Sequence, residues 1–217
     1  HQMTANGFNL PKLPPPAEIE TRRVLRKLAE AHRHLAELKG VAATIPNEDI
    51  LIQTLALQEA KDSSEIENIV TTHDDLFKAQ LSDECANPST KEVARYAAAL
   101  RVGFDSVRTR HLITLNQIIE IQKTLEQNDA GFRKLPGTAL RNRATGEVVY
   151  TPPQGHAQIV ELMGDLESFM NDPTRMDADP LVKMAIIHYQ FESIHPFYDG
   201  NGRTGRIINI LYLVVNG

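Results

Sequence analysis

The chain repeats one pattern of apolar residues, separated by short polar breaks. Apolar side chains recur every three or four positions, which is the spacing of one face of an α-helix. The last stretch, residues 207–215, is apolar almost all round, which predicts a helix buried at the centre of the protein. The other predicted helices cover or include residues 17–39, 50–60, 76–77, 93–104, 115–125, 159–170 and 181–188.

Polar and special residues mark where these helices should begin and end. Gly40 is expected to stop the first helix. Pro196 disfavours helical geometry at the residue before it, so the helix over 181–188 should end before His195 and leave that residue on a loop. The predicted N-terminal caps are Asn47, the pair Thr72 and Asp75, the pair Ser89 and Glu92, and Asp179 followed by Pro180.

Two segments do not fit a helical pattern. Residues 10–16 are rich in proline and should form an extended arm on the surface. Arg141-Asn142-Arg143 and Val148-Val149-Tyr150 flank a polar turn, which predicts a short β-hairpin that the following prolines end. The prediction is an all-α protein with one short β-hairpin.

Composition narrows the range of functions. The 217 residues carry 23 lysines and arginines against 28 aspartates and glutamates, a net charge of −5, which argues against a broad nucleic-acid-binding surface. Cys85 is the single cysteine, so no internal disulfide can form, as expected in a reducing compartment. No apolar run reaches the ~18 residues of a membrane span, and no signal peptide is evident. These observations predict a cytoplasmic protein with no membrane contact.

The residues best suited to catalysis and phosphate binding are concentrated in one segment, residues 195–206. Its sequence is His-Pro-Phe-Tyr-Asp-Gly-Asn-Gly-Arg-Thr-Gly-Arg. Glycines before a helix let main-chain N–H groups approach phosphate oxygens, and arginines bind further oxygens. Asp199 supplies a carboxylate of the kind that holds Mg2+, and His195 can move a proton. The three glycines also spell G-x-G-x-x-G, but a dinucleotide site needs a preceding strand and a later acidic residue, which this segment does not offer.

This segment resembles, at every specified position, the His-x-Phe-x-Asp/Glu-Gly-Asn-Gly-Arg-x-x-Arg signature of the Fic family, whose members mostly transfer AMP from ATP to protein hydroxyls. Upstream, Ser63, Glu67 and Asn68 are similar to the Ser/Thr-x-x-x-Glu-Gly/Asn inhibitory motif of many Fic proteins. The resemblance implies an N-terminal helical region over 1–105 that packs on a Fic-type core over 106–217, with further helices after the core in related proteins.

The resemblance also implies roles for single residues. His195 would take the proton of a Ser, Thr or Tyr hydroxyl of a target protein, and Asp199 would hold Mg2+ on the α- and β-phosphates. Glu67 would pair with Arg206 and occupy the place of the γ-phosphate, which makes the transferase autoinhibited. The implied nucleotide-binding residues are Gly200, Asn201 and Gly202 through their main chain, Asn201 also at the α-phosphate, Arg203 at the phosphates or the loop, and Arg206 at the γ-phosphate. Phe197 would fill the core and hold the loop. Tyr150, Thr151 and Pro152 would form a flap that aligns the target protein.

Several alternatives stay open at this point. The same site could remove AMP from a modified protein, with Glu67 positioning water, or could transfer another phosphate-containing group. The chain could also be a binding module that binds ATP and changes shape without turnover. His195 argues against this alternative, because binding alone does not require a base. Self-modification and assembly into a homo-oligomer are both compatible with the sequence. His188 is expected to be a packed, hydrogen-bonded residue rather than a metal ligand, and Arg141 and Arg143 a charged hairpin surface rather than a binding site.

Overall fold

The structure is a computed structural model that describes residues 10–42, 44–45, 48–81, 87–142 and 144–217; for residues 48–51, 80 and 81 it describes the main chain only. The predictions made for Asn47, Cys85 and Arg143 lie outside the described residues.

The predicted all-α fold is confirmed. Over the described ranges the chain forms eight helices and a two-stranded antiparallel hairpin, with one short 3-10 helix at Pro173–Arg175. None of these helices is long and apolar enough to cross a membrane. The elements are α1 (Arg22–Ala42), α2 (Glu48–Ile66), α3 (His73–Leu81), α4 (Pro88–Arg110), α5 (Leu115–Glu126), β1 (Leu140–Arg141), β2 (Val148–Tyr150), α6 (His156–Asn171), α7 (Pro180–Ile194) and α8 (Asn201–Asn216).

Two helices organise the core. α4 packs against α2, α3, α5 and α8, while α7 packs against α6 and α8. Gly103 lets α4 approach α8 closely, because a Cβ there would lie 2.6 Å from Leu211 Cδ1. The predicted division after residue 105 falls within α4, which runs on to Arg110. The core thus spans both predicted parts of the chain.

The helix starts are partly as predicted. Thr72 Oγ1 accepts a hydrogen bond from the N–H of Asp75 at 3.1 Å, and Asp179 Oδ1 accepts from Leu181 at 2.9 Å, which confirms both caps. The cap predicted at Ser89 is wrong, since Asn87 caps α4 through the N–H of Thr90 at 2.8 Å. The physical reason is the proline at residue 88, which has no N–H to offer and therefore suits the first helical position.

The first helix also differs from its prediction. α1 begins at Arg22 rather than near residue 17, because Thr21 caps it with a 3.4 Å bond from the N–H of Val24. It runs through Gly40 to Ala42, since one glycine in an exposed helix costs only about 1 kcal/mol. No side chain of α1 is buried.

Burial differs from the prediction at both ends of the described chain. The proline-rich arm has no helix or strand, as expected, but Leu10 and Leu13 are buried and the N–H of Leu13 donates to Asp165 Oδ2 at 2.7 Å, so the arm is anchored. In α8, burial ends at Tyr212, and Val214 is 39% exposed. An apolar pattern shows what a helix is able to bury, whereas the neighbouring helices decide how much of it is covered.

Candidate active site

His195 lies directly after α7, as predicted. α7 ends at Ile194, and His195 takes left-handed geometry with φ 49° and ψ 60°. Its N–H donates to Phe191 O at 2.9 Å, which satisfies one of the last carbonyls of the helix. Pro196 is the physical cause, because its ring excludes helical geometry at the preceding residue.

The loop after His195 is closed by its own residues. Phe197 is fully buried, with its ring centroid 5.3 Å from that of Phe132 and 6.3 Å from that of Phe191, as its predicted role in the core requires. Asn201 Oδ1 accepts from the N–H of Phe197, and Asn201 Nδ2 donates to Phe197 O, both at 2.9 Å. The side chain of Asn201 therefore braces the loop, and because Nδ2 carries a second N–H, the predicted contact with the α-phosphate stays a prediction.

Replacing Phe197 by alanine should destabilise the protein by about 3–5 kcal/mol, because it empties a fully buried aromatic site beneath the loop. Urea unfolding followed by circular dichroism measures this loss. Phe77→Ala is the matched control, since Phe77 is 50% exposed and its truncation should cost much less. Equal losses in the two variants would contradict the structural role of Phe197.

The segment after the loop presents a helix N-terminus. Gly200 has φ 76° and precedes α8, which begins at the next residue, and glycine has no side chain with which to cap the first N–H groups of that helix. Uncapped N–H groups at a helix N-terminus carry partial positive charge and attract anions. The main chain of Gly200, Asn201 and Gly202 lies at this helix N-terminus, and its binding of phosphate stays a prediction.

Arg206 joins the two sequence motifs. Its Nε donates to Ser63 Oγ at 2.6 Å, and its Nη2 donates to Ser63 O at 3.0 Å and to Glu67 Oε1 at 3.1 Å. Ser63 is buried, while the side chains of Arg206 and Glu67 are 20% and 33% exposed. The pairing predicted between Glu67 and Arg206 is present in the structure.

The end of α2 sets the position of Glu67. Asn68 has φ 63°, and its N–H donates to Glu65 O at 2.9 Å, so the helix ends in the left-handed turn that asparagine and glycine tolerate best. Glu67 Oε1 lies so close to Gly202 that a Cβ added there would be 2.5 Å from it. The carboxylate of Glu67 consequently rests against the first turn of α8.

Arg203 is engaged by two carboxylates that the sequence reading did not pair with it. Its side chain is 4% exposed, with Nη1 donating to Glu92 Oε1 at 2.8 Å and Nη2 donating to Glu126 Oε1 at 2.7 Å. These contacts tie α8 to α4 and α5. The two roles predicted for Arg203, at the phosphates or in fixing the loop, both stay predictions.

The charges around His195 favour its neutral form. Burial lowers the pKa of His195, and the nearby positive charge of Arg133 lowers it further. The main-chain carbonyl of Glu192 and the carboxylates of Asp199 and Glu67 act in the opposite direction, but with smaller effect. A neutral imidazole is the form that accepts a proton.

The predicted flap lies next to the end of α7. In the hairpin Leu140 faces Tyr150, and the hydroxyl of Tyr150 donates to Ser193 O at 2.8 Å. Thr151 is exposed, whereas Pro152 is buried. The hairpin therefore reaches the residues that precede His195. Arg141 donates to Gly146 O at 3.1 Å within the hairpin.

The carboxylate of Asp199 suits an Mg2+ ion that is otherwise bound by phosphates and water. Its side chain is exposed, and Oδ1 accepts from the N–H of Gly200 at 2.7 Å. Among the residues that the structure describes, no cluster of three or more His, Cys, Asp or Glu side chains could hold a metal ion. Mg2+ commonly binds one or two carboxylates together with phosphates and water, so a single carboxylate suits it.

His188 accepts a 3.1 Å hydrogen bond from Asn209 Nδ2, which agrees with the prediction of a packed, hydrogen-bonded histidine.

Comparison with known proteins agrees with this geometry. Residues 112–213 match the family model described as Fic/DOC family, and residues 25–105 match the one described as Fic/DOC family N-terminal. Protein adenylyltransferase fic-1 of Caenorhabditis briggsae is 32% identical over 130 residues, which are 58% of this chain and 24% of that protein. Protein adenylyltransferase Fic of Drosophila willistoni is 38% identical over 96 residues, 44% of this chain and 18% of that protein.

Solved structures share the fold. A Fic domain containing signaling protein from Bacteroides thetaiotaomicron has a TM-score of 0.71 at 20% identity, covering 85% of this chain and 72% of that one. Fic-1 from C. elegans has a TM-score of 0.68 at 21% identity, covering 91% of this chain and 60% of that one. The matched part of the chain spans 20–24% of the length of three curated relatives. With the two family models placed side by side along most of its length, the chain belongs to the Fic/DOC family.

Proposed function

We propose that this chain transfers AMP from ATP to Ser, Thr or Tyr hydroxyls of a target protein, and that Glu67 restrains this activity. The observation that carries the proposal is the 3.1 Å contact of Glu67 with Arg206, which places a carboxylate against the first turn of α8, the helix that follows the loop of His195. The names of the relatives, which are protein adenylyltransferases, support the same reaction.

The phosphates of ATP would bind over the first turn of α8. Main-chain N–H groups of Gly200, Asn201 and Gly202 meet the phosphate oxygens there, and the partial charge of the helix end favours them. Arg206 binds the γ-phosphate once Glu67 has left it. Asp199 would hold Mg2+, which neutralises the charge of the phosphates when it is bound.

His195 serves as the base. Its neutral imidazole takes the proton of the target hydroxyl as the hydroxyl oxygen attacks the α-phosphorus. The bond between the α-phosphorus and the bridging oxygen breaks, and pyrophosphate leaves. His195 then gives the proton to the pyrophosphate, which returns the base to its neutral form.

The proposal is tested with ATP labelled at the α-phosphate, Mg2+ and either the wild-type chain or Glu67→Gly. Label on protein that rises in the variant supports a restrained AMP transferase. ATP binding without label in either form contradicts it, and three measurements then separate the rivals. These are release of AMP from a modified protein, transfer from other nucleotides, and a change of shape on ATP binding without turnover.

The rate of transfer should stay high below the pH at which free imidazole protonates. A proton-accepting base works while it is neutral, and burial with Arg133 lowers the pKa of His195 from its ordinary 6.5. The acid limb of kcat/KM against pH, which reports the free enzyme, should therefore lie below pH 6.5 in Glu67→Gly, with activity lost as the pH falls through the pKa of His195. A midpoint above 6.5 would contradict the assignment of the base.

A further inference from the structure

Arg133 binds the main chain on both sides of the proposed base. The residue is fully buried, and its Nε donates to His195 O at 2.8 Å. Its Nη2 donates to Ile194 O at 3.3 Å, and its main-chain N–H donates to Pro196 O at 2.8 Å. Three consecutive carbonyls around His195 are thus held by one residue that lies 62 positions earlier in the chain.

The same guanidinium also contacts the end of the flap. Arg133 Nη2 donates to Pro153 O, which lies three residues after β2. The hydroxyl of Tyr150 donates to Ser193 O at 2.8 Å, so the flap and Arg133 together hold four consecutive carbonyls, residues 193–196. A single side chain therefore joins the flap to the main chain of the base.

We propose that Arg133 is a positioning residue of the reaction, which fixes the main chain of His195 relative to the flap. This inference rests on the proposed function. The flap is the element proposed to align the target segment, so its distance from His195 decides whether the target hydroxyl meets the base. Arg133 sets that distance without touching substrate.

The chemistry of the site requires arginine at this position. The carbonyls at the end of a helix carry partial negative charge, which compensates a buried cation. The planar guanidinium directs its donors toward Pro153, Ile194 and His195 at the same time. A lysine ammonium is a compact centre on a flexible chain and cannot reach the same three acceptors in this arrangement.

Electrostatics separates this role from a purely structural one. Arg133 lowers the pKa of His195, while the charges of Asp199 and Glu67 and the carbonyl of Glu192 raise it. This effect depends on the charge of Arg133 and on its distance from the imidazole, so truncation of an uncharged core residue would not remove it. Loss of the Arg133 charge should raise the pKa of His195.

The test introduces Arg133→Lys into Glu67→Gly and measures AMP transfer. We expect kcat to fall by about tenfold to a hundredfold, since a displacement of ~1 Å in a reacting group has an effect of this size, while KM for ATP changes little. Arg175→Lys is the matched control. Arg175 also donates to main-chain carbonyls, those of Leu13 and Asp165, and its hydrogen bonds within the described part of the chain do not reach the flap or the loop of His195. A kcat equal to that of the control would overturn the proposal.

An NMR titration gives a readout that does not depend on transfer. The imidazole signal of His195 is assigned by its absence in His195→Ala, and its pKa is compared between the wild type, Arg133→Lys and Arg133→Met, with folding checked by circular dichroism. A raised pKa in a folded Arg133 variant supports the proposal even if no transfer is found in any form, an outcome that would refute the proposed function alone. An unchanged pKa in every folded variant overturns the role of Arg133.

Discussion

Replacing Glu67 by glycine should raise AMP transfer by at least the roughly 5- to 150-fold span of typical coupling energies between sites. The carboxylate of Glu67 pairs with Arg206 at 3.1 Å and lies against Gly202, so it occupies the place that we propose for the phosphates of ATP at the start of α8. Its removal leaves Arg206 and the helix N-terminus to the phosphates of ATP. Label transferred from α-labelled ATP to protein measures the change.

The contacts of Glu67 indicate how strong the proposed restraint on AMP transfer should be. Glu67 follows the C-terminus of α2, where the helix dipole disfavours a negative charge, but it meets the favourable N-terminus of α8. The pair is partly exposed, and such pairs contribute about 0–1 kcal/mol, with up to about 2 kcal/mol more from a helix terminus. A sum of a few kcal/mol agrees with the expected coupling.

Two further variants separate charge from chain flexibility. Glu67→Gln keeps the length of the side chain but loses its charge, so it should activate in the same direction as glycine. Glu65→Gly introduces glycine into the same turn of α2, at an exposed residue whose carboxylate pairs with Lys61 at 3.5 Å, and it should leave transfer unchanged. Equal activation by Glu65→Gly and Glu67→Gly would assign the effect to the backbone and remove the claim of autoinhibition.

The parts of the site that could be predicted are those with local causes. Pro196 places His195 on a loop because the clash involves neighbouring residues, and the period of apolar residues indicated α4 to α8 because each helix buries one face. The pairing of Glu67 with Arg206 was predicted from the resemblance of two motifs. Periodicity alone carries no information about a contact between residues 139 positions apart.

The parts that were missed depend on distant partners. Arg203 and Glu92 are 111 positions apart, and Glu92 had been read as half of a capping pair because its spacing from Ser89 fits one. Arg133 lies in a segment without regular secondary structure. It binds main-chain carbonyls, and because every residue has one, the sequence does not indicate which carbonyls it binds. Asn201 shows the same limit, since the sequence does not indicate that its amide binds both the N–H and the O of Phe197.

Replacing His195 by alanine should reduce AMP transfer by about 10²- to 10⁴-fold, the usual contribution of a general base. The loss is best measured in Glu67→Gly, where transfer is no longer restrained. Binding of ATP should be retained, because the phosphates are held by the first turn of α8 and by Arg206. His73→Ala is the control, since it removes an exposed histidine at the start of α3.

The combination of outcomes decides between a base and a structural residue at position 195. The imidazole is partly buried, but the loop is held by contacts that do not involve it, namely the ring of Phe197, the amide of Asn201 and the main-chain bonds of Arg133. Alanine should therefore leave the free energy of unfolding nearly unchanged while transfer is lost. If His195→Ala instead keeps transfer within a few-fold of Glu67→Gly, proton removal by this residue is not part of the reaction, and the role of Arg133 as its positioning residue fails with it.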